Sequence, residues 1–252
     1  MSPSEEAVRI RRGHAGDQSA DSLYGAIAAR YQVSRADIAP AGTPFSILRV
    51  TDTNALLESI DAETFAVDER LPYWADLWAS SVVLAEWCLH SGMLEGKDIL
   101  ELGSGLGLGG VAAARAGGRV VMTDYEEDAL KFARYNALMN CPERIPEVRL
   151  MDWRAPDIGS RYDFILGADL IYEQRNFTPL LGAFGKLLLP PGRVILTDPD
   201  RSTGGDFISL AREAGWSVQS VRSTVVHFGR TVTVVRYELC FPSGLVPEGA
   251  NA

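Results

Sequence analysis

The run Asp98-Ile99-Leu100-Glu101-Leu102-Gly103-Ser104-Gly105-Leu106-Gly107-Leu108-Gly109-Gly110 constrains this chain more than any other stretch. It reads as a short buried strand, a turn on repeated glycines, and the start of a small-residue helix carried on by Val111, Ala112, Ala113 and Ala114. Glycine permits positive φ and lets a ligand approach the main chain, while a helix amino terminus offers unpaired N–H groups. Strand, tight turn and helix in that order predict an α/β fold with a small polar ligand over the turn.

The choice of ligand rests on the flanking acids. Gly105, Gly107 and Gly110 meet the G-x-G-x-x-G spacing of dinucleotide sites, but a glycine-dense run meets it cheaply. Gly103, Gly105 and Gly107 also form G-x-G-x-G behind Glu101, and a carboxylate there repels a pyrophosphate and favours a cationic amino group. The next strand, residues 120–124, ends in Asp124, placed to accept hydrogen bonds from ribose hydroxyls. Together they suit a positively charged nucleoside.

Residues 101–107 and Asp124 resemble the first two motifs of the class I S-adenosylmethionine-dependent methyltransferases. The resemblance implies an α/β, Rossmann-like seven-stranded sheet with a closing antiparallel hairpin. It also implies S-adenosyl-L-methionine as cofactor, held by Glu101, Gly103, Gly105, Gly107 and Asp124, with Ala168 at the end of a later strand beside it.

Ahead of the glycine turn, Leu71-Pro72-Tyr73-Trp74-Ala75-Asp76-Leu77-Trp78 crowds aromatics around a carboxylate. Aromatics at that density serve as core, or as a wall that shelters a cation through cation–π attraction of about 0.5–2 kcal/mol. P-Y-W-A-x-x-W is similar to the segment that lids the cofactor in the seven-strand protein-lysine methyltransferases, family 16-like, a branch that includes the electron-transfer-flavoprotein lysine enzymes. The likeness covers residues 71–201. It implies that Trp78 borders the cofactor and that Tyr73 and Trp74 stand at the substrate mouth.

Further on, Asp152 and Trp153 follow a short strand at residues 146–150; a carboxylate beside an aromatic suits adenine, and the pair resembles the family's adenine motif. The apolar strand 162–168 delivers Asp169-Leu170-Ile171-Tyr172 to the carboxyl edge of the sheet, where open α/β sheets bind ligands. Methyltransferases acting on planar amines carry [N/D]-P-P-[Y/F] at this point. D-L-I-Y instead resembles the D-x-x-Y of the lysine branch, which implies Asp169 and Tyr172 as the catalytic pair; Asp169 is expected to orient the amine, and Tyr172 with Trp74 to shape a dry channel. Asp198-Pro199-Asp200-Arg201 is similar to a D-P-x-R of relatives, and reads more simply as a surface turn.

The flanks divide the chain into a polar tail at 1–21 holding Arg9, Arg11, Arg12 and His14, an amino-terminal extension at 22–70, a methyltransferase domain at 71–243, and a frayed end at 244–252. Within the extension, Leu23, Ile27 and Tyr31 have helical spacing behind a cap at Asp21 or Ser22. Residues 45–50 alternate as a strand, and a short helix passes through Leu56, Leu57 and Ile60. Within the domain, helices are expected at 82–90, 126–140, 176–189 and 207–214, a fifth strand at 193–197, and a closing hairpin from 216–221 and 232–239. A net charge of −9 opposes a nucleic-acid partner gripped by its phosphates. Cys88, Cys141 and Cys240 lack metal-ligand or disulfide spacing. With no secretory leader or apolar span, the expectation is a cytoplasmic enzyme without metal or membrane. Its partner is a protein lysine or a small-molecule amine; a small-molecule methyltransferase and a non-catalytic or dinucleotide-binding domain stay open beside it.

Overall fold

The computed structural model describes residues 19–58 and 71–241. The basic cluster of the amino-terminal tail, Ile60 and the expected frayed end at 244–252 lie outside them.

Seven strands form the main sheet: β3 (Asp98–Leu102), β4 (Arg119–Asp124), β5 (Glu147–Leu150), β6 (Tyr162–Ala168), β7 (Leu188–Asp198), β8 (Ser217–His227) and β9 (Arg230–Cys240). They lie in the order β5-β4-β3-β6-β7-β9-β8. β3 through β7 pair in parallel, and β9 runs antiparallel to both β7 and β8. The order reverses between β3 and β6, so the carboxyl ends of those strands flank the switch point where such sheets bind ligands.

Period-two alternation sends Ile99 of β3 to one face, with Val120, Met122, Phe164 and Ile195. Leu100 and Leu102 go to the other, with Ile165, Val194, Leu196 and Val235. The first face is covered by α3 (Ala79–His90), α4 (Leu108–Arg115) and α5 (Glu127–Asn140), the second by α6 (Phe177–Leu187) and α7 (Ser202–Glu213). Both faces being buried is why β6 reads as a continuous apolar run.

The extension contributes α1 (Ala20–Ala28), a two-stranded antiparallel sheet of β1 (Val33–Ile38) and β2 (Phe45–Val50), and α2 (Thr53–Glu58). Leu23 and Ile27 are buried as their spacing predicts, but the cap is Ser19, whose hydroxyl accepts from the N–H of Ser22 at 3.2 Å. β1 was not foreseen: Val-Ser-Arg-Ala-Asp-Ile has little alternation and becomes a strand by pairing with β2. The sheet is tied to α5 through two asparagines. Asn136, fully buried, accepts from the N–H of Leu48 (2.8 Å) and donates to the carbonyls of Leu48 (3.1 Å) and Leu106 (2.9 Å), linking the extension to the glycine turn. Asn140 makes the matching pair with Ser46.

The expected helix at 176–189 and strand at 193–197 meet differently from prediction. The helix ends at Leu187 and β7 begins at once, with Leu188 opposite Tyr162 and Arg193 opposite Phe164. Pro190 and Pro191 occupy the register irregularity between those pairs, where their missing N–H groups cost no ladder bond.

Candidate active site

A cavity of about 270 Å³ opens at the switch point. Its floor is the turn after β3. Gly103, Gly105 and Gly107 take φ of 59°, 50° and 83°, and the turn is pinned by the N–H of Ser104 on the carbonyl of Thr123 (2.9 Å) and that of Gly107 on Ser104 (2.7 Å). At Gly103 conformation and space act together: a Cβ there would lie 2.7 Å from Leu170 Cδ2 and 3.2 Å from the ring of Trp153.

The two acids sit beneath this turn. Glu101, 3% exposed, accepts from the N–H of Gly110 at 3.0 Å. That contact requires glycine, because a Cβ on residue 110 would be 2.6 Å from Glu101 Oε2. Burial pushes the Glu101 carboxyl from its usual 4.5 up to about 8, the Gly110 N–H pulling the other way and the nearby Asp124 adding to the rise. Asp124, at the end of β4, accepts from the N–H groups of Gly105 (2.9 Å) and Glu126 (3.0 Å), and burial moves it up to about 6. Backbone N–H groups of Gly110 in α4 and of Gly105 in the turn thus hold Glu101 and Asp124 at the cavity, where their oxygens can accept from a cationic group.

The aromatic segment forms the opposite wall as a single 3₁₀ turn, Tyr73–Ala75, leading to α3. The indole N–H of Trp78 donates to the carbonyl of Tyr73 (2.8 Å), and the Tyr73 ring stands edge-on to Trp78 (6.2 Å) and to Tyr172 (5.7 Å). Tyr73 and Trp74, expected together at the substrate mouth, both line the cavity, but their rings take different directions. The Trp74 ring packs on Tyr31 (5.7 Å) of the extension and on Phe132 (5.4 Å) of α5. Its backbone faces Gly105. Asp76, capping the N–H of Leu77 at 2.8 Å, takes an ion pair from Arg49 of β2, and His227 at the tip of the closing hairpin donates to the carbonyl of Leu77 at 2.6 Å. Extension and hairpin therefore both anchor this wall.

The third wall follows β6. Ala168, Asp169, Leu170 and Tyr172 line the cavity, and burial, followed by the charge of Glu173 and by Tyr73, raises the Tyr172 phenol to about 12. Asp169 lies at φ 57°, unusual for a residue with a side chain, and its N–H bonds the carbonyl of Thr197 at 2.9 Å. Its Oδ1 accepts from Arg201 at 2.5 Å, and its Oδ2 is buried with no hydrogen-bond partner.

Every residue singled out from sequence lines this cavity except Asp152. Trp153 is buried against the turn, its indole N–H unpartnered and its ring edge-on to Tyr125 at 6.2 Å. Asp152 instead faces a recess beside the mouth, its carboxylate bonded to Arg154 at 2.8–3.0 Å. Trp153, Tyr73, Tyr125 and Tyr172 line that recess as well as the cavity, so Asp152 stands next to the ring it was expected to accompany. Arg201 departs from the expected surface turn. It is half-buried and bonds both Asp169 and the fully buried Asp198 (2.8 Å). The signal lay in D-P-D-R, but nothing local named Asp169 as the partner.

The residues present fit an adenosyl cation. A glycine cradle that a Cβ would fill, two buried acids, an aromatic wall and the unpartnered Trp153 indole N–H surround one cavity. With the β5-β4-β3-β6-β7-β9-β8 sheet, this defines a Rossmann-like S-adenosylmethionine-dependent methyltransferase. The fold is shared with magnesium protoporphyrin IX methyltransferase ChlM from Synechocystis PCC 6803 with bound S-adenosylmethionine: TM-score 0.52, 16% identity, 75% of this chain and 97% of that one.

More narrowly, a family model described as lysine methyltransferase matches residues 72–213, and the chain belongs to that family. It is similar to the protein N-lysine methyltransferase METTL21A of Xenopus tropicalis, 33% identical over 181 residues that cover 68% of this chain and 83% of that protein. It is also similar to the histone-arginine methyltransferase METTL23 of Mus musculus, 34% identical over 121 residues, covering 44% of this chain and 47% of that one.

Proposed function

We propose that this protein is an S-adenosylmethionine-dependent N-methyltransferase whose acceptor is a lysine side chain of another protein. The observation that carries the reading is Asp169, whose Oδ2 is buried without a hydrogen-bond partner and which lines the cavity together with the glycine cradle and the Tyr73–Tyr172 ring pair. An N–H of a primary amine entering past those rings has an acceptor waiting. Membership of the lysine methyltransferase family and the likeness to METTL21A support the same acceptor.

When bound, S-adenosylmethionine supplies an electrophilic methyl group on a sulfonium. Gly103, Gly105 and Gly107 admit the donor close to the backbone, Glu101 and Asp124 offer acceptors to its cationic and hydroxyl groups, and Trp78, Trp153 and Ala168 close around it. Asp169 orients the acceptor nitrogen. Tyr73 and Tyr172 keep water away from it; holding two reactants in attack geometry can contribute about 7–11 kcal/mol. An unperturbed lysine has a pKa of about 10.4 and must lose its proton before it attacks. Tyr172, with its phenol raised to about 12, keeps its own proton and cannot take that one at neutral pH. We assign the proton to solvent.

The acidic balance of the chain favours a basic protein surface over nucleic acid as partner. Among the described residues no helix is long and apolar enough to cross a membrane; a cytoplasmic location and a catalytic domain spanning residues 71–243 with an extension before it complete the proposal. The test is incubation of purified protein with cell lysate and donor carrying a tritiated methyl group. Label in acid-precipitated protein is expected; label confined to the small-molecule fraction refutes a protein acceptor.

A further inference from the structure

Arg201 reaches the acceptor side of the cavity from the turn after β7. A single nitrogen, Nη1, bonds Asp169 Oδ1 at 2.5 Å and Asp198 Oδ2 at 2.8 Å. The backbone N–H of Arg201 bonds the other oxygen of Asp198 at 3.1 Å, so the guanidinium is fixed from behind by a fully buried carboxyl. Asp169, a cavity-lining residue, thus has one oxygen on a guanidinium that it shares with Asp198 and a second oxygen that is buried without a hydrogen-bond partner.

A lone carboxylate at this point would hold an ammonium in its protonated, unreactive form. We propose that Arg201 is a positioning residue that offsets the charge of Asp169, so that the pocket orients a primary amine in its uncharged, reactive form. The inference rests on the amine-methyltransferase reading and adds what that reading lacked, a means of binding an amine by a carboxylate without locking its proton in place. The other titratable groups facing the cavity are Tyr172 from the same loop, Tyr73 and Asp76 from the aromatic segment, and Glu101, Asp124, Tyr125 and Glu126 at the ends of β3 and β4, with Asp198 behind the guanidinium. All are acids, so Arg201 is the cation among the cavity's described lining residues.

The experiment measures methyl transfer to lysate protein from about pH 6 to about pH 10, with donor and lysate protein raised until the rate saturates, because kcat reports groups in the bound complex. Removing a positive charge a few ångströms from the amine raises the amine's pKa. In Arg201→Gln the acid limb of the profile is therefore expected to move up by about one pH unit. Arg201→Lys, which can place one charged nitrogen between the same two oxygens, is expected to keep the wild-type limb. Calorimetry with S-adenosylhomocysteine should give each variant an affinity within about threefold of wild type, a readout of an intact fold and donor site. An unmoved or downward limb in Arg201→Gln overturns the inference, as does an equal upward move in Arg201→Lys or loss of S-adenosylhomocysteine binding in both. Absence of transfer by the wild-type protein would instead remove the reading of function on which it rests.

Discussion

Replacing Glu101 by glutamine should separate two roles that the native carboxyl combines. In the fold, Glu101 is buried with one N–H donor and a second acid nearby, and its carboxyl is pushed from 4.5 to about 8. A group raised in this way stabilises the native state fully below its unfolded value and loses that contribution as pH rises through its folded value. Between about pH 6 and about pH 8 the linkage relation gives a loss of about 2 kcal/mol from this residue alone. Asp124, raised to about 6, has delivered most of its own change by the start of that window. For a chain of this size about 2 kcal/mol corresponds to roughly 4–8 °C in Tm. Glutamine keeps an oxygen for the Gly110 N–H and carries no charge, so Glu101→Gln should melt at nearly the same temperature across the window while the wild type declines. Above about pH 8, where Glu101 is ionised, the same variant lacks the negative charge offered to a cationic donor and should bind S-adenosylhomocysteine at least tenfold more weakly. Scanning fluorimetry over pH and calorimetry read the two effects. A wild-type slope unchanged in Glu101→Gln would refute the argument that burial of this carboxyl governs the pH dependence.

Three further outcomes follow from the geometry. Gly103→Ala forces a Cβ to 2.7 Å from Leu170 at φ 59° and should cost about 1–3 kcal/mol of stability and most affinity for S-adenosylhomocysteine, by denaturant titration and calorimetry. Asn136→Ala strands the N–H and carbonyl of Leu48 and the carbonyl of Leu106; urea unfolding should show a loss of about 2–4 kcal/mol. Asp169→Asn should abolish transfer to lysate protein while S-adenosylhomocysteine affinity stays within about threefold of wild type, and full turnover would disprove its role at the acceptor.

What could be read from sequence was local. The glycine turn, the acids on either side of it, and the apolar run of β6 each announce themselves within a dozen residues, because a turn that needs positive φ and a strand buried on both faces restrict composition directly. What could not be read depends on distant partners. Arg201 stands thirty-two residues from Asp169, and only the adjacency of β6 and β7 brings them together. β1 is a strand because β2 lies beside it, and Asn136, unremarkable on a helix, becomes a bridge because β2 presents unpaired backbone groups to it. The different directions of Tyr73 and Trp74 were equally illegible, since Tyr31 and Phe132 offer Trp74 an aromatic bed that its own neighbours do not reveal.

The most direct test of the account is to digest lysate protein labelled by the purified enzyme and identify the modified amino acid by mass spectrometry, with Asp169→Asn as the control. The account predicts Nε-methylated lysine that is absent from the control. Methyl groups on arginine, or on lysine to the same extent in the control, would contradict it.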